Sequence, residues 1–250
     1  MKMYHFGAAH FLLLLLLPIC FCLIYFLLKN KPKQMQQKVL FWIAIANVCL
    51  LVVHKIVAYV TVTGHVNELL PFELCNICSF LLPVAYKSRS TLLSRILFLL
   101  AVPAGLLAVF FPSAVYNAKS ILNPDLWMFF VVHVLQIVLA LMPICFAHTR
   151  IKIFDAAWSA GALLLYAGVA HGFNCIMRAT GAISSSNIMY TFGQKGNGVV
   201  EFVYNLIPIP FVWMMPALLL VIALLFVETL IFHKCYKTYD KKHQKGDTNA

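Results

Sequence analysis

Residues 7–28 read GAAHFLLLLLLPICFCLIYFLL, with no charged residue among them. A helix of that length rises about 33 Å, enough to cross a hydrocarbon core roughly 30 Å thick. The unbroken run Leu12 to Leu17 lacks the alternation of a membrane β-barrel strand. Lys2 and the Leu run resemble a signal peptide, but Pro18 and Ile19 stand where cleavage needs small residues and the apolar stretch continues to Leu28. The segment is therefore read as a retained first helix.

Six further stretches of the same kind follow, at about 39–62, 71–87, 94–111, 125–147, 153–174 and 210–232, given that roughly 20 apolar residues make one crossing. The third and fourth are short. Across the 250 residues, 62% are hydrophobic and 11% charged, with a mean hydropathy of +0.88. Soluble domains carry about 25% charged residues. Twenty Phe against eight acidic residues leave too little polar surface for a soluble enzyme, a disordered tail or a secreted disulfide scaffold. The expected fold is all-α, a seven-transmembrane-helix bundle over 1–233, followed by a basic cytoplasmic tail at 234–250.

Lys and Arg in the short loops set orientation. Lys29, Lys31, Lys33 and Lys38 fall in the first loop, Lys87, Arg89 and Arg95 in the third, and Arg150 and Lys152 in the fifth. Lys234, Lys237, Lys241, Lys242 and Lys245 bring that side to fourteen, against Lys2, Lys119, Arg178 and Lys195 on the other. The N-terminus is then outside and the C-terminus inside. The net charge of +11 calls for no nucleic acid; anionic inner-leaflet lipids are the expected partner of the basic tail.

With orientation assigned, polar residues of five helices fall at similar outer depth. They are His10 in the first helix, His54 and Lys55 in the second, Glu73, Cys75, Asn76 and Cys78 in the third, His133 and Gln136 in the fifth, and Tyr166, His171 and Asn174 in the sixth. Asn47 lies nearer the middle, and the inner half shows no comparable set. Intramembrane charges cost at least ~2.5–3.5 kcal/mol and face the bundle interior. Lys55 therefore needs a partner, with Glu73 or Asp125 the choices. The set reads as a cavity open to the outer face, or as a polar clasp that only holds helices in register.

Most of the eight Cys fall within hydrocarbon, so they are no extracellular disulfide framework. Cys75-Asn76-Ile77-Cys78 is a C-x-x-C, but no second such pair or H-x-x-x-H completes a zinc site; neither metal nor cofactor is expected. A thiolate attacks acyl carbonyls while an imidazole moves the protons, which makes Cys75 and His133 the candidate catalytic pair. Asn76 or His10 is a candidate oxyanion donor. Residues 175–209 form the longest expected non-helical piece, a lid or a plain connector. The last span has no Lys, which excludes a retinal Schiff base there.

Phe6-Gly7-Ala8-Ala9-His10 before a Leu run resembles the start of bacterial YwaF-type integral membrane proteins. Leu70-Pro71-Phe72-Glu73-Leu74-Cys75-Asn76-Ile77 is similar to a family stretch reading LPLHLC and then a polar residue. His133 looks like the family's helix-five His, and Asn187 to Tyr190 with Pro210 to Pro216 resemble its closing region. That family is similar to eukaryotic transmembrane protein 164, an acyltransferase that remodels ether phospholipids through a Cys and a His. The resemblance implies Cys75 as nucleophile, His133 as base, membrane phospholipids as partners, and a multi-pass location in a cell membrane, the bacterial plasma membrane. Glu73 stands where the family commonly has His. The rival reading is a proton-coupled small-molecule or lipid transporter using His54, Lys55, Glu73 and His133; a third is a non-catalytic scaffold.

Overall fold

The computed structural model describes residues 6–60, 69–70, 72–112, 120–183, 186–192 and 198–247. Every regular element among them is helical: α1 (Ala8–Leu14), α2 (Leu16–Leu28), α3 (Lys33–Ala58), α4 (Leu74–Ser88), α5 (Thr91–Phe110), α6 (Pro124–Cys145), α7 (Asp155–Ala179), α8 (Gly198–Leu206) and α9 (Met215–Asp247). Helices α1 and α2 form one span interrupted at Leu15. Pro18 explains the break, because its ring offers no N–H to the carbonyl four residues back and crowds it.

Among the described residues, six spans are long and apolar enough to cross a membrane: Ala8–Leu28, Lys33–Ala58, Thr91–Phe110, Pro124–Cys145, Asp155–Ala179 and Val212–Tyr236. The sequence reading expects seven. The exception is α4, whose 15 residues rise only about 22 Å. It lies among α3, α5 and α6, which bury Cys78, Leu82, Ala85 and Tyr86 while Val84 stays exposed.

Helix α6 is the axis of the bundle, packed against α1, α2, α3, α4 and α5. Asn123 caps it by accepting from the Asp125 N–H at 3.0 Å, with Pro124 in the first turn. Pro there is favourable, since its missing N–H has no intrahelical partner anyway. Gly105 lets α5 approach closely: a Cβ on it would sit 2.6 Å from Ile137 Cγ1.

Three boundaries differ from the sequence reading. Helix α5 starts at Thr91, because Ser90 accepts from the Leu93 N–H and caps it. Arg95, counted above as a loop charge, is thereby buried within α5, 2.9 Å from Asp155 at the start of α7. Residues 175–209 are not a continuous loop: α7 runs to Ala179, and α8 lies farther on. Residues 184–185 and 193–197 of that stretch fall outside the described set. Helix α9 continues past 233 to Asp247 without interruption.

The end of the bundle where α3 and α5 begin carries its own buried polar set, which the sequence reading did not expect there. Arg95 Nη1 donates to Thr149 at 3.3 Å, and Gln36 joins the Leu28 carbonyl at 3.0 Å to the His148 ring at 2.6 Å.

Candidate functional site

The C-terminal ends of α3 and α7 meet the N-terminal ends of α4 and α6, and their polar residues meet there too. Lys55 Nζ donates to both carboxylate oxygens of Glu73, at 3.0 and 3.1 Å. Glu73 is the N-cap residue of α4, where a carboxylate is favoured by the helix dipole. Asn76, on the first turn, donates its amide to the same carboxylate, and the Cys75 thiol lies 3.8 Å from Asn76 Oδ1. Lys55, Glu73, Asn76 and Cys75 therefore form one chain of polar contacts.

Asp125 takes the neighbouring residue instead. His54 Nε2 lies 3.0 Å from Asp125 Oδ1, at ion-pair distance but without hydrogen-bond alignment, and both groups are buried. Between His54 and His133 stands Phe129, with ring centroids 6.1 Å and 4.3 Å away. His133 is buried, and its Nδ1 lies 2.7 Å from the Phe129 carbonyl. A carbonyl can only accept, so Nδ1 carries the hydrogen and Nε2 keeps a lone pair in the neutral ring. His133 lies within electrostatic range of His54 and Lys55. No hydrogen bond joins it to Cys75 among the described residues.

Tyr166 was noted in the sequence for its depth but given no role. Its hydroxyl is buried without a hydrogen-bond partner among the described residues, within electrostatic range of Glu73, Cys75 and Cys78. A buried donor left unmatched is uncommon. Only the fold reveals this, because nothing at 166 announces an unpartnered hydroxyl.

Other expected members have other work. His10 accepts from the Phe6 N–H at 3.0 Å and holds the Val109 carbonyl at 2.8 Å, so both ring nitrogens engage the backbone. Gln136 accepts from Ser79 and donates to the Ala101 carbonyl, each at 3.1 Å, tying α4, α5 and α6 together. Asn174 donates to the Ile188 carbonyl and Thr191 and accepts from Ser186 and the Ile188 N–H, all at 2.8 to 2.9 Å. It is the anchor of the segment after α7. His171 lies 3.5 Å from Cys175 and stacks on Phe211. Cys175 is thus an exposed thiol beside an imidazole.

An apolar groove of about 450 Å³ opens among α4, α5, α7 and α9. Leu74, which precedes the Cys75 nucleophile candidate, lines it together with Leu99, Pro103, Leu163 and Leu218. Glu228 of α9 is the one charged residue in that lining. The sequence reading passed over it inside an otherwise apolar span.

No curated protein and no solved structure matches this chain. The sequence model of one family does, over residues 5–232, nearly the whole of the spanning region: the chain is a member of the TMEM164 family, multi-pass and helical.

Proposed function

We propose that this protein moves acyl chains between membrane phospholipids, with Cys75 as the acyl carrier and His133 as the base. The observation that carries the reading is Cys75 on the first turn of α4, its thiol beside Asn76 of the Lys55–Glu73–Asn76 chain and its neighbour Leu74 lining the apolar groove. A groove of about 450 Å³ falls in the usual range for sites that bury a small molecule, about 300–1,000 Å³, and its lining suits an acyl chain. The sequence resemblance to transmembrane protein 164 supports the same assignment.

The chemistry has two balanced halves. His133 Nε2 takes the Cys75 thiol proton as sulfur attacks a donor-lipid ester carbonyl. The lysolipid alcohol leaves with that proton, and the acyl group stays on Cys75 as a thioester. An acceptor-lipid hydroxyl then gives its proton to His133 and attacks the thioester, which restores the thiol and forms the new ester. His133 and Cys75 come within hydrogen-bond reach only with lipid bound, as catalytic contacts often tighten on binding. The Tyr166 hydroxyl donates to the oxyanion in this scheme, a role that Asn76 and His10 are too engaged to fill.

We assign α4 as the seventh crossing, which restores an outside N-terminus and an inside C-terminus. A reporter active only in the cytoplasm, fused after Ala250, gives signal on that topology; silence there with signal ahead of His10 overturns it.

Acyl transfer is tested with full-length protein in vesicles holding a tagged-acyl phospholipid donor and an untagged acceptor. Cys175→Ala is the background, because its exposed thiol sits beside His171. The tag appears on Cys75 as a hydroxylamine-labile adduct, and Cys75→Ser abolishes both adduct and transfer. Tyr166→Phe lowers kcat by about 10²–10³, the usual loss for one oxyanion donor. Full transfer by Cys75→Ser sinks the reading. The transporter alternative takes its place if Cys75→Ser is silent while His133→Ala and Glu73→Gln block proton-driven uptake.

A further inference from the structure

At the other end of α4, about 21 Å from Cys75 along the helix, a second cavity of about 390 Å³ opens. The start of α3 supplies Lys33, Gln34 and Gln37, the end of α4 leads into Arg89, and α5 begins with Thr91. His148 and Thr149, from the segment between α6 and α7, close it. Among the described residues no carboxylate lines it. The nearby acid Asp155 is already engaged, by Arg95 at 2.9 Å and by the Lys152 N–H at 2.6 Å. Neither Lys33 nor Arg89 has an ion-pair partner among the described residues.

Two helices begin at this cavity, so their positive dipole ends add to the two cations. Burial first, and then the Lys33 ammonium, hold the His148 pKa below the ordinary 6.5, which places Lys33 within electrostatic range of this ring. Thr91 and Ser94 line the same space, the Ser94 hydroxyl donating to the Ser90 carbonyl at 2.9 Å. The cavity also lies where the long spans α3 and α5 begin, the level at which a phospholipid phosphate sits. Basic pockets between membrane helices are suited to such groups.

We propose that this cavity is a binding site for a phosphate group, held by Lys33 and Arg89 against the starts of α3 and α5. The group comes either from the headgroup of an anionic phospholipid in the adjoining leaflet or from free phosphate. The proposal is independent of acyl transfer at Cys75, and Cys75→Ser leaves this binding unchanged.

The test uses the full chain in detergent at fixed ionic strength, as wild type and as Lys33→Gln with Arg89→Gln. One arm measures the unfolding midpoint against inorganic phosphate, with chloride as control. The other measures by native mass spectrometry which lipid is retained from mixed micelles of phosphatidylglycerol and phosphatidylcholine. At about 1 kcal/mol for each cation, the double variant binds roughly 30-fold more weakly. Phosphate that stabilises only the wild type identifies the free anion as ligand. Selective phosphatidylglycerol retention by the wild type alone, with phosphate silent, identifies the headgroup. Lys33→Arg with Arg89→Lys keeps both charges and must keep binding, which separates charge loss from misfolding. Equal responses of the wild type and the charge-loss variant, or no response to either probe, overturn the proposal.

Discussion

Glu73→Gln should damage this protein more than Lys55→Met, although the two changes break the same ion pair. The asymmetry follows from exposure: the Lys55 side chain is 11% accessible and that of Glu73 51%. Neutralising Glu73 strands a buried ammonium, and breaking a buried pair that way costs about 3–5 kcal/mol. Neutralising Lys55 leaves a carboxylate that already reaches solvent and keeps the Asn76 amide. Surface pairs are worth only about 0–1 kcal/mol, so we place this half-exposed case at about 1–2 kcal/mol. At about 2–4 °C per kcal/mol for a chain of this size, Glu73→Gln lowers the unfolding midpoint by roughly 6–20 °C and Lys55→Met by about 2–8 °C. Intrinsic-fluorescence melts in detergent measure both. The double variant holds no stranded charge and should melt near Lys55→Met, a non-additivity that a double-mutant cycle quantifies. If Lys55→Met is as damaging as Glu73→Gln, the burial argument is refuted, and two silent single variants would mean that the pair holds nothing together.

Two further perturbations address other parts of the bundle. His148 has a folded-state pKa below its ordinary value, through burial first and Lys33 second, so the unfolded chain takes up its proton more readily. Its contribution is therefore fully present above pH ~6.5 and is lost as pH falls through the folded value; His148→Gln should flatten that part of the stability-versus-pH curve, and an unchanged curve would exclude His148 as its source. Gly105→Ala places a Cβ 2.6 Å from Ile137 Cγ1 and should destabilise by about 1–3 kcal/mol, the range for overpacking; adding Ile137→Ala removes the clashing atom, so a double variant no better than Gly105→Ala with its cavity would place the strain elsewhere.

Hydropathy located the spans because a helix surrounded by lipid must be apolar along its length. Its length criterion is a weaker guide where protein replaces lipid. Helix α4 has α3, α5 and α6 around it, so nothing requires it to match the bilayer thickness. Charge counting misplaced Arg95 for a related reason: Lys and Arg mark loops only when they face water, and Asp155 pays for burying this one. The Lys55 clasp was legible because an intramembrane charge needs a partner and few acids exist. Which acid it takes was not legible. His54 and Lys55 are consecutive, hence about 100° apart around α3, and only packing shows that one faces Asp125 and the other Glu73. Gln136 and Asn174 illustrate a different limit. An amide in a span looks the same whether it binds a ligand or ties backbone together, and here both are saturated by protein partners.

The length of α4 links the two ends of the molecule. On the proposed topology its roughly 22 Å stands in a hydrocarbon core of roughly 30 Å, a shortfall of about 8 Å. Its neighbours α3, α5 and α6 are 20 residues or longer, so the shortfall opens recesses inside the bundle rather than thinning the membrane around it. Centred, each end of α4 lies about 4 Å inside the hydrocarbon boundary. The ester carbonyls of a phospholipid lie at that boundary, so a lipid settling into the recess brings its ester toward the start of α4. In the proposed transfer, a nucleophile on the first turn of α4 meets the ester of a lipid that stays in its leaflet, with the acyl chain running down the groove that Leu74 lines. Lengthening α4 by one turn at its start, four residues inserted after Phe72, would carry the Lys55–Glu73 register about 6 Å away. Such a variant should lose transfer even with Cys75 and His133 both present. Retained transfer would mean that Cys75 does not depend on the recess, and that the short helix has no part in presenting the lipid.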